Sequence, residues 1–599
     1  MQRVYEAGTM AGVYDEWGIA HGYHDVDGNW HDTPPATHAH LRAAIDRPVH
    51  TEPLWFVDQG STPTLMGHCR LTLEDGSDWG EVDALPHDLP IGYHRLAPVD
   101  GGPVTELVVA PITCPPAPRG WGVAAQIYSL YRPDGWGIGD LRDVRDLGRE
   151  VATRGGSAVL LSPLHAPAPS QPQEDSPYYP SSRRWLNPLL VPLDGPSPVA
   201  NEPGGLIDRS PVWSAKRAAL AQEFSRLPAV SADEWRRWAH EQGDELLRFC
   251  TWNALAERLG ARWQEWPAEY RDPSGAAVRE LPLRDPAFAA TRDFHAWMQW
   301  RAARSLAQTA DAAQVGLIGD LAVGCSPAGA DAWLHQDLMA LDVRIGAPPD
   351  PFNAAGQEWG LPPFVPSLLR AAHYRPFIGM VRAACQSMAG LRIDHVMGLF
   401  RQFWIPEGGS PADGAYVQLP SAELLAIIRL EATRAGVYVV GEDLGTVEPE
   451  VHHALRASGI LGTKVWWFDP HPQDWSPANL ATVTTHDLPT AAGVLAGTDG
   501  TPEMAASLQQ FAGAEDDPAV AVHHAVAQSQ AALCLAAMDD LAGCTDRPNH
   551  PGTLSDEHPN WCRRLSATSP EILSAPLGNA VLAAVASEHR SGPPGPRSS

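Results

Sequence analysis

The sequence predicts an α/β protein in which parallel strands alternate with helices. From about residue 121 onward, short apolar runs alternate with helical segments, which is the pattern of parallel strands joined by crossover helices. Two further regions depart from this rhythm. Residues 205–312 are helix-like and rich in tryptophan, and residues 51–113 consist of short apolar or alternating runs separated by turn residues.

The N-terminal region, residues 1–113, is predicted to contain a small antiparallel, β-sandwich-like domain. Its runs LWFV, CRLTLED, GYHRLA and TELVVAP have the length and alternation of strands, and Gly, Pro and Asp separate them. The segment CPPAPRG, residues 114–120, is predicted to be a linker because proline and glycine interrupt regular structure.

The main domain is predicted to span residues 121–585. Its apolar runs of strand length are 124–130, 157–164, 316–323, 391–396, 437–442, 463–468 and 481–485. A count of about eight strands favours a closed (β/α)₈ TIM barrel over an open sheet. Residues 205–312 are predicted to be a helical subdomain inserted into this barrel, with most of their tryptophans in packing positions. The tail, 586–599, is predicted to be disordered.

Composition excludes several classes of partner. The formal net charge is −28, and no basic stripe offsets it, so nucleic acid and anionic membrane surfaces should be repelled. No stretch reaches the roughly 18 apolar residues that span a bilayer. The eight cysteines form no CxxC pair, which indicates neither a zinc site nor a disulfide framework. We therefore expect a cytoplasmic protein with reduced thiols.

Three carboxylates stand at the carboxyl ends of predicted strands: Asp394 after LRI, Glu442 after VYVVG, and Asp487 after ATVTTH. Barrel enzymes hold their active sites at that end of the strands. An enzyme that cleaves glycosidic bonds needs two carboxyl groups across the bond, about 5–5.5 Å apart in the retaining geometry. Strand-end carboxylates also cap helices or form ion pairs, but three at matching strand ends favour an enzyme that acts on sugar chains.

Polar neighbours accompany these carboxylates. Arg392 precedes Asp394 by two residues, so both side chains point to one side of the strand, and the guanidinium would keep the carboxylate ionised. His395 and His486 could donate hydrogen bonds to sugar hydroxyls, although His395 alone could be structural. No His/Asp cluster has metal-ligand spacing, so we expect no metal and no cofactor.

Seven motifs carry a resemblance to a known family. In the family's order, they resemble segments of the 4-α-glucanotransferases known as amylomaltases or disproportionating enzymes, glycoside hydrolase family 77. The resemblance covers roughly 120–566. The motifs are QIYSLYRPDGWGIGDL (126–141), SPYYPSSRRWLNPL (176–189), GAPPDPFNAAGQEWGLPP (346–363), LRIDHVMGLFRQFWIPEG (391–408), VVGEDLGTV (439–447), ATVTTHDLPT (481–490) and HPNWCRRL (558–565).

The resemblance implies a role for each carboxylate. Asp394 looks like the nucleophile, Glu442 like the acid/base, and Asp487 like the stabiliser of the transition state. The substrate-binding residues that it implies are Arg392 and His486 around the transferred glucose, Asp320 as a sugar contact, Ser176 and Tyr178 beside that subsite, Trp359 in a loop over the groove, and His395. One departure is the run 547–549, Arg-Pro-Asn, where the family often has Gln-x-Asn.

The implied reaction transfers α-1,4-glucan segments between malto-oligosaccharides, or chains derived from starch or glycogen, with retention and without a cofactor. The protein would be a monomer or a homodimer. Three alternatives remain at this point: a hydrolase that uses water as acceptor, a branching or debranching enzyme acting on α-1,6 bonds, and a glucan-binding protein without catalysis.

Overall fold

A computed structural model describes residues 13–25, 28–349, 355–445, 447–512, 517–553 and 557–588. They fall into two compact units. The first contains the described residues of 1–116, 335–386 and 395–460, and the second those of 117–334, 387–394 and 461–599. The domain boundaries inferred from the sequence stay predictions, and most of the predicted tail lies outside the described residues.

Eight strands belong to one sheet, and we label them β1 to β8 in chain order. They are β1 (Gly120–Ala125), β2 (Ala158–Leu161), β3 (Gly316–Leu321), β4 (Gly390–Ile393), β5 (Tyr438–Gly441), β6 (Gly462–Val465), β7 (Asn479–Thr482) and β8 (Leu533–Ala537). Their order in the sheet is β5-β4-β3-β2-β1-β8-β7-β6. The pairs from β4 to β1 and on through β8 to β6 are parallel. This cyclic order confirms the predicted (β/α)₈ fold class.

Seven of these strands overlap the predicted apolar runs, and most are shorter than predicted. β1 lies earlier than the run 124–130, because Ile127–Ser129 form a 3₁₀ turn instead of continuing the strand. β8 matches no predicted run. Its sequence, LCLAA, is separated from the helix Pro518–Ala527 by a segment without glycine or proline, so no turn signal marks its start.

Helices connect the strands of the second unit and form most of the insertion. They are Leu141–Thr153, Arg209–Ser225, Ala229–Leu259, Ala268–Arg271, Ala276–Arg284, Pro286–Ala312, Ala330–Leu334, Ala491–Ala496, Pro502–Ala512, Pro518–Ala527, Met538–Leu541, Ser569–Ser574 and Pro576–Glu588. Short 3₁₀ turns lie at Ile127–Ser129, Pro188–Leu190, Trp263–Glu265 and Pro472–Asp474, and His165–Ala166 pairs with Ser182–Leu186. Among the described residues, no helix combines the length and apolarity that crossing a membrane requires.

The helix Leu141–Thr153 shows how the sequence specifies these connections. Asp140 caps its first turn, and Asp143 completes a reciprocal capping box. Its buried residues recur at helical spacing and pack into the same apolar cluster as the barrel strands: Leu141, Val144, Leu147 and Val151. In the insertion, large indoles are buried in the same way, which fits the packing role that we predict: Trp213, Trp235, Trp252, Trp263, Trp266 and Trp297.

The first unit contains three further sheets. A five-stranded sheet has the order Leu54–Asp58, Thr105–Ala110, Gly92–Pro98, Thr64–Thr72, Asp78–Ala84; its first pair is parallel and the others are antiparallel. A four-stranded sheet has the order Gln357–Leu361, Val343–Ala347, Arg401–Pro406, Ala415–Gln418, and a hairpin joins Gly22–His24 to Trp30–Asp32. The helices are Pro35–Ile45, Pro366–Ala371, Arg375–Ala384, Ser421–Ala435 and Pro449–Ala457, with 3₁₀ turns at Val396–Leu399 and Pro411–Asp413.

The five-stranded sheet is joined to the helix Ser421–Ala435, which precedes β5. Apolar residues of both form one buried cluster. At its edge, Glu431, only 2% exposed, accepts hydrogen bonds from the Tyr93 hydroxyl at 2.8 Å and from Arg382 at 2.8 and 2.9 Å. Arg434 extends the network to Glu74. Because one buried carboxylate serves several donors, it is the central residue of this contact.

Replacing Glu431 by alanine should therefore destabilise the first unit. The Tyr93 hydroxyl and the Arg382 guanidinium lose their shared acceptor, and we expect the free energy of unfolding to fall by about 2–4 kcal/mol. Urea unfolding followed by circular dichroism measures the change. The matched control is Asp194→Asn, which removes an exposed carboxylate paired with Arg142 and should change stability by less than about 0.5 kcal/mol. Equal stability of the two variants would contradict this account of the contact.

Candidate active site

Asp394 directly follows β4, and its hydrogen-bonding partners lie on β4 and on the neighbouring strand β3. Its backbone N–H donates to the Leu321 carbonyl of β3 at 3.0 Å. Asp320 and Arg392 are opposite each other in the β3–β4 register, so their side chains emerge together. Arg392 Nη1 lies 2.8 Å from both carboxylate oxygens of Asp320 and 3.0 Å from Asp394 Oδ1. One guanidinium thus lies between two carboxylates.

Burial distinguishes the two carboxylates that share Arg392. The side chain of Asp320 is 3% exposed, whereas that of Asp394 is 20% exposed. Burial and the charge of Asp394 raise the pKa of Asp320, although Arg392 opposes the shift. Asp320 is therefore suited to holding Arg392 in place, and Asp394 is the carboxylate that solvent or a ligand can reach.

Tyr178 continues the contacts on the other side of Asp320. Its hydroxyl donates to Asp320 Oδ2 at 2.6 Å and lies 3.3 Å from His486 Nδ1. The two rings stack with centroids 4.7 Å apart and planes inclined by 28°. Because the hydroxyl proton is used by Asp320, the phenol oxygen can accept from a protonated Nδ1 of His486.

His486 and Asp487 form an ion pair beyond the end of β7. His486 Nε2 lies 3.3 Å from Asp487 Oδ2. Burial lowers the pKa of His486, but the neighbouring Asp487 outweighs it and the net pKa is raised. The surrounding protein atoms partly desolvate Asp487, whose side chain is 43% exposed, and this raises its pKa, but His486, Asn549 and Arg392 outweigh the effect and the net pKa is lowered. Both shifts favour the charged form of the pair.

The segment after the helix Met538–Leu541 secures Asp487. Asn549 Nδ2 donates to Asp487 Oδ1 at 2.6 Å, and its backbone N–H donates to the His486 carbonyl at 3.0 Å. Arg547 Nη1 donates to the Asp487 carbonyl at 2.8 Å and also binds Asp499. The departure from Gln-x-Asn in this run therefore places an arginine against the backbone of Asp487.

These contacts form one continuous chain of polar groups within the second unit. It runs from Asp394 through Arg392, Asp320, Tyr178 and His486 to Asp487, ending at Asn549. Six residues of this polar chain are ones that the sequence predicts for the site. Two of them are the carboxylates Asp394 and Asp487, and the other four are Arg392, Asp320, Tyr178 and His486.

The third carboxylate, Glu442, directly follows β5 in the first unit. Its Oε2 accepts from the His395 backbone N–H at 2.9 Å, and its Oε1 accepts from the Leu444 backbone N–H at 2.7 Å. The preceding Gly441 is required by packing, because a Cβ there would lie 2.9 Å from Val396 Cγ1. The carboxylate is therefore held by backbone donors on both oxygens.

Trp359 and His395 lie together in the first unit. Their rings meet edge to face with centroids 5.1 Å apart. Trp359 Nε1 donates to Gln357 Oε1 at 3.1 Å, and His395 has a left-handed backbone with φ 45°. The part of the predicted groove loop at 350–354 lies outside the described residues.

Ser176 supports Tyr178 from within its own loop. The Ser176 Oγ accepts from the Tyr178 backbone N–H at 3.2 Å, and the Ser176 carbonyl accepts from the Tyr179 backbone N–H at 3.3 Å. The Ser176 N–H donates to Glu174 at 2.9 Å. This turn fixes the backbone of Tyr178, and the substrate contact that the resemblance implies for Ser176 stays a prediction.

Sequence reasoning missed two side chains here. Asp539 lies two residues beyond β8, and burial, together with Asp540, raises its pKa to about 7. A search for carboxylates at the carboxyl ends of strands would have included Asp539 if the sequence had predicted β8. Trp561 lies within the quoted HPNWCRRL motif, and its ring contacts those of Tyr178 and His486.

The described residues contain no cluster of three or more His, Cys, Asp or Glu side chains arranged to hold a metal ion. The chemistry that this arrangement can perform is that of carboxylates. Asp394 is held by a guanidinium and Asp487 is paired with a histidine. Carboxyl groups are the side chains that enzymes use to cleave and form glycosidic bonds.

Comparisons with known proteins identify the family of the chain. The family model described as 4-alpha-glucanotransferase matches residues 125–569. A 4-alpha-glucanotransferase of Mycobacterium tuberculosis is 37% identical, covering 83% of this chain and 79% of the relative. One of Haemophilus influenzae is 35% identical, covering 67% and 65%. Among solved structures, amylomaltase from Corynebacterium glutamicum aligns with a TM-score of 0.81 and 27% identity, covering 96% of this chain and 98% of that one. The chain belongs to the 4-alpha-glucanotransferase family, glycoside hydrolase family 77.

Proposed function

We propose that this protein transfers α-1,4-glucan segments between malto-oligosaccharides by a retaining double displacement in which Asp394, Glu442 and Asp487 are the catalytic carboxylates. Its substrates are malto-oligosaccharides and chains derived from starch or glycogen, acting as both donor and acceptor. It works in the cytoplasm, as a monomer or a homodimer, without nucleic acid or membrane partners.

Asp394 is the nucleophile. One of its oxygens attacks the anomeric carbon of the donor, a bond from carbon to carboxylate forms, and the glycosidic C–O bond breaks. The contact with Arg392 at 3.0 Å supports this role, because the guanidinium favours the ionised, nucleophilic form. Its partial exposure lets a ligand reach it, whereas Asp320 is enclosed.

Glu442 is the acid/base. It gives its proton to the departing glycosidic oxygen in the first step. In the second step it takes a proton from the 4-hydroxyl of the acceptor, whose oxygen attacks the anomeric carbon as the bond to Asp394 breaks. The backbone donors from His395 and Leu444 support this role, because they fix the carboxyl group in one orientation.

Asp487 stabilises the positive charge that develops on the sugar ring. Its ion pair with His486 and its hydrogen bond from Asn549 support the role, because they keep it ionised and in place. His486, Arg392 and Tyr178 bind the transferred glucose, and the enclosed Asp320 serves it by holding Arg392 and Tyr178. Trp359, His395 and Ser176 are further substrate-binding residues.

The single observation that carries this proposal is the continuous polar chain from Asp394 to Asp487. It ties the nucleophile to the stabiliser through side chains that are largely buried. If this polar chain only stabilised the fold, it would not need carboxylates that solvent or a ligand can reach, Asp394 and Asp487, at its two ends. The side chain of Asp487 is 43% exposed and that of Asp394 is 20% exposed.

The product profile from maltotriose tests the proposed activity. Transfer should give a ladder of longer α-1,4-linked chains together with glucose. Hydrolysis would give only shorter sugars, transfer to a 6-hydroxyl would appear as α-1,6 linkages in linkage analysis, and binding without products would identify a non-catalytic protein. Any of these three outcomes would contradict the proposal.

Replacing Tyr178 by phenylalanine tests the middle of the polar chain. The ring and its stacking with His486 remain, but the hydrogen bond to the Asp320 carboxylate is lost. We expect kcat/KM for maltotriose to fall about 10- to 100-fold, which is the effect of one hydrogen bond to a charged group. Glucose release measures it. Tyr23→Phe, on the N-terminal hairpin, is the matched control, and its kcat/KM should stay within about twofold of wild type. Equal kcat/KM values for the two variants would show that the Tyr178 hydroxyl contributes nothing to the activity.

A further inference from the structure

Trp561 contacts both aromatic members of the polar chain. Its indole is 7% exposed, and its ring centroid lies 5.2 Å from those of Tyr178 and His486, with planes inclined by 42° and 50°. Tyr178 and His486 also stack on each other. The three rings therefore form a closed group in which each constrains the tilt of the other two.

The backbone of Trp561 adopts a conformation that bulky residues avoid. Its φ is 61°, in the left-handed region that glycine favours. Two hydrogen bonds hold it there: its N–H donates to the Pro548 carbonyl at 2.9 Å, and Arg209 Nη2 donates to its carbonyl at 2.7 Å. Strained backbone of this kind persists only where surrounding contacts enforce it, and it is concentrated at functional sites.

Arg209 is itself fixed from two sides. It is 6% exposed, its Nη1 lies 2.9 Å from Asp175 Oδ1, and its guanidinium stands 4.9 Å above the ring of Tyr128. Tyr128 in turn meets the Trp561 ring edge to face at 6.5 Å. The support of the indole thus reaches the helix Arg209–Ser225 and the turn after β1.

Asn560 closes the loop on the other side of Trp561. Its Oδ1 accepts from the His550 backbone N–H at 2.8 Å, and its Nδ2 donates to Thr553 Oγ1 at 3.0 Å. His550 directly follows Asn549, which binds Asp487. The same loop therefore sets both the indole that packs on His486 and the amide that holds Asp487.

We propose that Trp561 is a positioning residue for glucan transfer: its indole sets the tilt of the Tyr178–His486 stack and thereby aligns His486 with Asp487. The inference rests on the proposed function, because it acts through the proposed stabiliser of the transition state. The contacts of His486 with Tyr178 and Asp487 are both 3.3 Å, at the long end of hydrogen-bond geometry, so a small change of tilt breaks them.

The expected effect falls mainly on kcat. Trp561→Ala should lower kcat for maltotriose about 10- to 100-fold and change KM less than about fivefold, because the misaligned groups act in the transition state. Trp561→Phe keeps a ring against Tyr178 and His486 and should recover most of the rate. Trp561→Leu fills the space of the indole without a ring. Its kcat should therefore be as low as that of Trp561→Ala, whereas its stability should be close to that of Trp561→Phe. If Trp561→Ala does not fold, Trp561→Leu takes its place in the test.

A double-mutant cycle with His486 separates positioning from general destabilisation. If Trp561 acts through His486, the change Trp561→Leu should lower kcat less than about threefold in a His486→Ala background. Trp252→Leu, which removes a fully buried indole of the insertion, is the control and should lower thermal stability while leaving kcat within about twofold.

Three results would overturn the inference. The first is that Trp561→Leu lowers kcat by the same factor in the wild-type and the His486→Ala backgrounds. The second is that the kcat of Trp561→Leu lies within twofold of wild type. The third is that Trp252→Leu lowers kcat as much as Trp561→Leu does. Failure of the proposed function is distinguishable, because the wild-type protein would then show no transfer from maltotriose.

Discussion

Replacing Asp394 by asparagine should lower kcat for transfer from maltotriose by about 10⁴-fold or more. The amide cannot form the covalent glycosyl intermediate, so the reaction loses its first step. The change is nearly isosteric, and Arg392 keeps its contacts with Asp320 at 2.8 Å, so the fold around the site should be retained.

Glucose release and the formation of longer chains measure the Asp394 variant. Asp194→Asn, the exposed carboxylate used above, is the matched control and should behave as wild type. Unchanged melting temperature would show that activity is lost without unfolding. Transfer above about 1% of wild type, in a preparation that mass spectrometry shows to be free of aspartate at 394, would exclude Asp394 as the nucleophile.

Replacing Glu442 by glutamine should also remove most transfer from maltotriose, by about 10³- to 10⁴-fold. The amide has no proton to give to the glycosidic oxygen and cannot accept one from the acceptor. One side-chain oxygen remains to accept from a backbone N–H, of His395 or of Leu444, so the loop should keep its course.

An activated donor separates the roles of the two residues. Fluoride leaves without protonation, so the Glu442→Gln variant should release fluoride from α-maltosyl fluoride far faster than it cleaves maltotriose. Azide, which needs no general base, should then accelerate turnover and yield an α-maltosyl azide. The Asp394→Asn variant should respond to neither. If fluoride release from Glu442→Gln were as slow as cleavage of maltotriose, Glu442 would not be the acid.

Part of this site follows from local rules of sequence. The barrel strands are short apolar runs, and each of Asp394, Glu442 and Asp487 ends or follows such a run. The contact between Arg392 and Asp394 follows from the alternation of side chains along a strand, because residues two apart point to one side. These inferences need only the alternation of side chains along a strand and the positions at which the strands end.

The remaining contacts depend on pairs that are distant along the chain. Tyr178 is 142 residues from Asp320 and 308 from His486, and no spacing rule brings them together. Trp561 lies in the motif HPNWCRRL, but the sequence indicates no role for its side chain, because its left-handed backbone and ring contacts arise only when the loop closes on Arg209 and Pro548. Asp539 was missed because the strand before it, LCLAA, has no turn residue at its start.

Trapping the covalent intermediate tests the central claim most directly. A maltosyl fluoride that carries a second fluorine at C5 still glycosylates the nucleophile through its good leaving group, but the electron-poor sugar ring slows release. Intact mass should rise by one fluoromaltosyl group, and peptide mass spectrometry should place that group on Asp394 within LRIDH. An adduct on Glu442, Asp487 or another residue, or fluoride turnover without any adduct and with an inverted product, would contradict a double displacement through Asp394.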